Sequence, residues 1–382
     1  MLVRTKGSDD PDVACIHDGR LGLRMGDFIG RRIVDRLDLQ YWYYPSSFAL
    51  REHPWFQAAT IIQLHNVHGS FFSHRALPAI SRHRPVVWRL SDMWPLTGHC
   101  SYSHDCERWK SGCGACPYLS EYPSLKRDTT ALLWRVKKRV YTQSNLIIVS
   151  TNAWMEKLVQ ESPLLRRFPT FRIPNGVDAE VFHPLLKAST REALNIPASA
   201  RVVLFIANVA RPGTRKGGEY VSDVMRALSA EGLEDLLLLV VGEGAEQWKA
   251  DAKHRTVRIE FTHSDRLLAA IYSAADVLIH PALVENLPNT VLESMACGTP
   301  AVAFDVGGVA DVVRHMETGY LAKYRDGADL AYGIRWLLEN REVRERMGAR
   351  CRAVVETEYS NELQARRYVE LYRCLIEQRR SR

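Results

Sequence analysis

Short apolar runs alternate with helical stretches along most of this chain, first at 60–64, 85–90, 146–149 and 171–173, then at 201–207, 236–241, 257–261, 275–280 and 301–304. Such alternation demands parallel sheets with helices packed on their faces. The two series are separated by 174–199, where Pro, Asn, Gly and Asp accumulate and IPNGVD supplies turn chemistry. With 382 residues, 46% of them hydrophobic, the chain can build two domains with separate cores. The expectation is α/β, with one Rossmann-like domain over 1–174, a second over 175–360 and a terminal segment over 361–382.

Within the second series, Glu285 follows the run at 275–280, and Glu293 lies in a helical stretch, 289–297, closed by Gly298. In a parallel α/β domain the loop past a strand's C-terminal end faces the ligand crevice. Asn286, Leu287, Pro288 and Asn289 lead into the helix, whose first N–H groups and positive dipole end suit a diphosphate. Carboxylates accept hydrogen bonds from neighbouring hydroxyls, so the pair suits two sugar rings on either side of one diphosphate. The spacing alone equally describes a capping loop and a solvated helix face. Lys216 lies in a further segment, 211–218 (RPGTRKGG), after the run ending at Ala207. A glycine-rich turn lets backbone approach phosphate, and adjacent cations neutralise charge on a leaving diphosphate. A solvated basic turn has the same composition.

The segments 173–184 (IPNGVDAEVFHP), 205–218 (FIANVARPGTRKGG) and 285–300 (ENLPNTVLESMACGTP) together resemble the retaining glycosyltransferases of family 4, the glycosyl transferases group 1. GG--D at Gly307 to Asp311 fits the same family, and DMWPLTGHC at 92–100 is similar to the branch that builds colanic-acid-type exopolysaccharide. The resemblance implies the GT-B fold, two Rossmann-like domains facing across a crevice, with a last helix at about 361–380 crossing back to the first. It implies transfer of a hexosyl unit from a UDP- or GDP-sugar to a polysaccharide or lipid-linked acceptor, without a metal or other cofactor in catalysis. Glu285 would hold the donor hexose and Glu293 the ribose diol. Lys216 and an arginine would hold the diphosphate, with Arg215 and Arg211 competing for that role, while backbone groups of Asn289 and Thr290 line the phosphates and Leu287 is a further substrate-binding candidate. Phe261, after another strand, is the candidate base contact. Double displacement requires a carboxylate nucleophile beneath the anomeric carbon, and none stands out. The family implies front-face substitution instead, in which the leaving phosphate takes the acceptor's proton.

In the first domain Ser91 stands where many relatives carry His, and Asp92 beside it remains a site candidate. His65 either faces the acceptor or is an ordinary hydrogen-bonded histidine. Relatives open with a first strand, a Gly-rich turn and a helix before a segment similar to MLVRTKGSDDPDV, with which this chain starts. Loss of a central first strand would leave its neighbours without hydrogen-bond partners. A longer natural protein with a misassigned start is therefore favoured over a true truncation, on the cost of exposed strand edges.

Cys100, Cys106, Cys113 and Cys116 cluster in an otherwise polar insertion at about 98–120. In a cytosolic protein this suggests a structural zinc rather than disulfides, with a reduced or redox-active cluster as the alternative. Lys and Arg outnumber Asp and Glu by 51 to 44, which suits an anionic nucleotide-sugar and anionic lipid headgroups. No compact basic motif with interleaved aromatics points to nucleic acid. No apolar run approaches the roughly 18 to 20 residues of a membrane span, and the first residues lack a signal-peptide core. The expected location is the cytoplasm, with peripheral contact at the membrane face. Two other functions stay open: a GT-B nucleotide-sugar epimerase and a non-catalytic nucleotide-sugar-binding remnant.

Overall fold

The computed structural model describes residues 1–382 apart from 8, 18–19, 211–214, 249–253 and 381–382. The chain divides into two compact units, Met1–Ile173 with Glu370–Arg382, and Pro174–Val369. Each holds parallel strands with helices between them, the α/β architecture of two Rossmann-like domains.

The first unit contains β1 (Leu2–Val3), β2 (Ala14–Cys15), β3 (Ile62–Leu64), β4 (Val86–Arg89), β5 (Leu146–Ser150) and β6 (Thr170–Arg172). Its strands form two separate sheets: β1 pairs with β2, and the larger sheet runs β3-β4-β5-β6. Strand β3 pairs with β4 on one side, and no described strand pairs with its other edge. The core gathers large aromatic groups, Trp88, Trp94, Tyr44 and Tyr141. The end of the last helix, Asn361–Arg380, is counted with this unit. There the Tyr372 hydroxyl bonds to Gln63, and Arg379 donates to the His83 carbonyl over 3.1 Å.

The second unit contains β7 (Arg201–Val209), β8 (Leu236–Glu243), β9 (Arg255–Ile259), β10 (Val277–His280), β11 (Ala301–Phe304) and β12 (Gly319–Ala322). All are parallel, in the order β12-β11-β10-β7-β8-β9. The first strand is thus central, and the order reverses between β7 and β10; a crevice at the strands' C-terminal ends opens at such a reversal. Burial follows the period of two that a strand imposes. Val202 and Leu204 pack into the core on one face, Val203 and Phe205 into the core on the other. Both faces are covered, which is why these runs read as continuously apolar.

One buried charge cluster ties the start of this sheet together. Asp276 accepts from Arg191 at 2.8 Å, from Lys187 at 3.0 Å and from the Val202 amide at 2.8 Å. Burial alone would raise its pKa, but the Lys187 and Arg191 cations bring it below the ordinary carboxylate range.

Most strands lie within about two residues of the positions the pattern gives. The run expected at 257–261 is realised as Arg255–Ile259, and Phe261 stands just past that strand. The pattern missed β12, a four-residue strand whose Gly319 presses against the Ala301 carbonyl, and the two-residue strands β1 and β2.

Candidate functional site

The loops that follow β7 and β10 meet at the point where strand order reverses. Gly217 has φ +72°, and a Cβ there would lie 1.9 Å from the Pro281 carbonyl oxygen. Only glycine combines that left-handed backbone with such an approach. Beside it the Leu283 amide donates to the Arg215 carbonyl over 2.9 Å. The turn is thereby stitched to the loop past β10, and Lys216 Nζ donates to Glu285 Oε2 over 2.6 Å.

Glu285 is buried, and the Asn286 amide donates to its Oε1 at 3.2 Å. Burial favours the protonated form, but the Lys216 cation more than offsets it, and the net shift is well below the ordinary carboxylate range. His280, at the end of β10, stands 3.6 Å from Oε2, and its own burial holds its pKa down. Behind this loop, Gly307 has φ +58° and comes so close that a Cβ would lie 1.9 Å from the Glu285 carbonyl oxygen. The Gly308 amide donates to the same oxygen over 3.3 Å. The two glycines of GG--D therefore act as a backstop that fixes the Glu285 backbone.

Glu293 lies in the helix Asn289–Ala296, with Pro288 at its cap and no capping side chain. The exposed Asn289 and half-buried Thr290 form its first turn, where backbone N–H groups and the helix dipole favour an anion. Asn175, in the IPNGVD loop, donates from Nδ2 to Asn289 Oδ1 over 2.6 Å and holds that loop against the helix start. The Tyr272 hydroxyl donates to Glu293 Oε2 over 2.8 Å. Burial raises the Glu293 pKa to about 7 despite that bond. The two candidate carboxylates thus carry opposite shifts because only Glu285 has a cation beside it.

Within this unit the structure brings Lys216 and Glu285 into contact, and it places Glu293 four residues into the helix that begins at Asn289 and Thr290. Arg215 joins through its backbone carbonyl, and Arg211 lies outside the described residues. The Leu287 side chain is buried in the core with Val291 and Leu292 and does not line an open surface. Phe261 is half exposed, with its ring edge-to-face with His263 at 4.8 Å. Tyr272 and His280 were not singled out from sequence. The signal for His280 was its place at the end of an apolar strand, whereas Tyr272 is recognisable only once its helix is packed beside Glu293.

In the first unit, Asp92 is buried, 3.1 Å from His68 Nε2, and accepts from the Trp94 amide at 2.9 Å. Its neighbour Ser91 accepts from Arg89 at 2.8 Å. His65 is exposed just past β3. The four clustered cysteines are thiols, and all line one cavity of about 20 Å³ together with His99. The Gly98 amide donates to Cys113 Sγ over 3.2 Å, and His99 Nε2 lies 3.4 Å from Cys116 Sγ. Burial pushes the Cys100 and Cys113 thiols up, to about 12 and about 11. Among the described residues no group of three or more His, Cys, Asp or Glu is set to hold a metal ion, so these sulfurs do not form a ready ligand set.

Residues 187–354 match the family described as "Glycosyl transferases group 1". A mycobacterial relative, the "GDP-mannose-dependent alpha-(1-6)-phosphatidylinositol dimannoside mannosyltransferase" of Mycobacterium tuberculosis, is 30% identical over 192 residues, covering 49% of each chain. The chain spans about half the length of several curated relatives it matches. Among solved structures, sucrose-phosphate synthase from Thermosynechococcus elongatus superposes with a TM-score of 0.66 at 20% identity, over 99% of this chain and 89% of that one. Anabaena Alr3699/HepE in complex with UDP gives 0.60 at 17% identity, over 84% and 80%.

The Glu293 shift has a consequence for stability. Its folded-state value, about 7, exceeds the ordinary 4.5, so between these values the folded protein keeps a proton that the unfolded chain releases. Stability contributed at low pH is therefore lost as pH rises through this window. Glu293→Gln should be less sensitive, gaining on the wild type by about 2 kcal/mol between pH about 4.5 and 7. Urea unfolding of both proteins across that range checks it; parallel curves would show that Glu293 ionises normally.

Residues 187–354, which carry Lys216, Glu285 and Glu293, are similar to the glycosyl transferases group 1, and the chain that holds them has the GT-B fold.

Proposed function

We propose that this chain moves a hexosyl unit from a nucleotide diphosphate-sugar to a surface-polysaccharide or lipid-linked oligosaccharide acceptor, with retention at the anomeric centre and without a divalent metal. The observation that carries this reading is the ion pair between half-buried Lys216 and buried Glu285, on the loop that leads to an uncapped helix start, at the reversal of strand order. A solved neighbour holds UDP, and the mycobacterial relative is named for GDP-mannose and a phosphatidylinositol mannoside, which supports a UDP- or GDP-sugar donor and a lipid-linked acceptor. DMWPLTGHC at 92–100 supports the exopolysaccharide branch. Peripheral membrane contact on the cytoplasmic side belongs to the same reading.

In this proposal Lys216 and Arg215 neutralise the diphosphate, while amides near Asn289 and Thr290 bind its oxygens. Glu285, kept ionised by Lys216, accepts hydrogen bonds from the hexose hydroxyls. Glu293 meets the ribose diol: with a pKa of about 7 it can both donate and accept there. As the bond to the anomeric carbon breaks, its electron pair leaves with the diphosphate, whose oxygen then takes the acceptor hydroxyl's proton. The acceptor oxygen bonds to the same face.

A second reading, donor binding without transfer, draws on the split sheet of the first unit. Sugar transfer or donor hydrolysis separates the two. Titration with UDP- and GDP-sugars should show binding, and turnover should fall about 100-fold in Glu285→Gln. Lys216→Ala leaves a carboxylate buried without its cation, at a cost of about 3 kcal/mol. Lys216→Met combined with Glu285→Gln therefore serves as the folded control, which should lose donor binding. Wild-type binding without turnover supports the second reading; no binding of any nucleotide-sugar overturns both.

We infer further that Cys100, Cys106, Cys113 and Cys116 hold a structural zinc. The shared cavity and the Gly98 amide directed at Cys113 support it, although the sulfurs must close on the ion to ligate it. Protein purified under reduction should contain about one equivalent of zinc, and less than about half an equivalent would overturn the assignment.

A further inference from the structure

Helix α1 (Leu21–Arg36) is built inside out. Its inner face carries Gly26, Asp27, Gly30 and Val34. A Cβ on Gly26 would lie 3.1 Å from Pro45 Cγ, and one on Gly30 would lie 3.0 Å from the Tyr43 carbonyl oxygen. Asp27 is buried and accepts from the Ser46 amide at 3.0 Å and the Ser46 hydroxyl at 2.5 Å, with His17 Nε2 at 2.7 Å. The large apolar side chains point the other way. Leu21, Met25, Phe28, Ile29 and Ile33 are 70%, 58%, 58%, 54% and 55% exposed. Their spacing of four, three, one and four places them on a single stripe of the helix. Single exposed apolar residues are ordinary; a stripe of five marks a surface that something covers.

The charges around the stripe identify what covers it. Arg24, Arg31, Arg32 and Arg36 lie on the exposed side of the same helix, and Arg32 sits over the Phe28 ring at 4.6 Å. Of the two acidic residues, Asp27 is turned inward and Asp35 faces Arg31 at 3.4 Å. Along the Arg24 and Arg31 edge opens a cavity of about 750 Å³, lined also by Arg4, Arg20 and His17, with Asp27 as the acidic group among its described lining residues. Arg20 shares its charge with Glu52 at 3.3 Å. Apolar side chains interleaved with arginine, beside a basic hollow, match the interface of a bilayer whose headgroups carry phosphate. A second protein with a plain apolar face would not use the arginines set within the stripe.

We propose that α1 is the membrane-docking element of this protein, lying in the plane of an anionic lipid surface with Leu21, Met25, Phe28, Ile29 and Ile33 inserted and phosphate headgroups at the Arg24 and Arg31 edge. This names the surface for the peripheral contact proposed above, and its test does not depend on sugar transfer. The full chain should co-sediment with vesicles of phosphatidylcholine mixed with phosphatidylglycerol and bind pure phosphatidylcholine vesicles at least about tenfold less. The double variant Phe28→Asp with Ile29→Asp should weaken binding to the anionic vesicles about tenfold or more, and Arg24→Glu with Arg32→Glu by a similar factor. Both pairs are exposed, so melting curves should match the wild type. Binding that Phe28→Asp with Ile29→Asp leaves unchanged would overturn the proposal, as would wild-type protein that stays in the supernatant. A concentration-dependent dimer in light scattering, dissolved by the same variant and blind to vesicles, would assign the stripe to a second copy. Loss of vesicle binding on adding inorganic phosphate, with the apolar variant behaving as wild type, would reduce the site to a free-phosphate pocket.

Discussion

A carboxylate withdrawn from water must find a cation or give up its charge, and the candidate site depends on how this constraint is met at Glu285. Lys216 supplies the cation from the loop after β7, while Glu285 stands on the loop after β10. Their contact requires the two loops to touch, and glycine makes that touch possible at both ends. Gly217 lies against Pro281, and Gly307 lies against Glu285 itself. A side chain at either position would push the loops apart by the width of a methyl group, and the ion pair at 2.6 Å would not form. The pair is therefore as much a fastening of the site as a part of its chemistry. Asp276 performs the equivalent fastening at the other end of β10, through Arg191, Lys187 and the start of β7. Strands β7 and β10 are clamped by buried charge at both ends.

The two carboxylates then differ by environment rather than by kind. Glu285 has a cation at 2.6 Å and stays ionised; Glu293 has a tyrosine hydroxyl at 2.8 Å, which is too little to repay its desolvation. A neutral or half-neutral Glu293 adds little negative charge beside a helix start suited to phosphate. Had both groups been ionised with no cation on either, they would repel a diphosphate. Lys216 thus acts on the site twice, once by holding Glu285 and once by limiting the negative charge a donor would meet.

Sequence pattern located the sheet of the second unit well because its strands are buried on both faces, so they read as unbroken apolar runs. It failed at β12, a short strand at the sheet's end, and at β1 and β2, whose two residues are too few to show a period. The same reasoning placed Glu285, Glu293 and Lys216 near the C-terminal ends of β7 and β10, because chain order and strand polarity fix that much. It could not see Tyr272, which reaches Glu293 across 21 positions, nor the part Gly307 plays behind Glu285. Both depend on packing between elements distant in sequence. Leu287 shows the opposite error. Chain order puts it in the loop past β10, but an apolar side chain beside the core turns inward.

Helix α1 shows where periodicity stops being informative. Its apolar residues repeat as they do in any amphipathic helix, and the ordinary inference would bury them against the sheet. What reverses the orientation is the glycine pair four residues apart, Gly26 and Gly30, with Asp27 between them. Glycines permit the closest approach of Pro45 and the Tyr43 backbone, and Asp27 gains its bonds to Ser46 only on that side. Leu21, Met25, Phe28, Ile29 and Ile33 cannot occupy the same side, so they face outward by exclusion. Small residues and a satisfiable carboxylate thus override apolar content in choosing the inner face, and the exposed stripe follows from how the helix is seated rather than from loose packing.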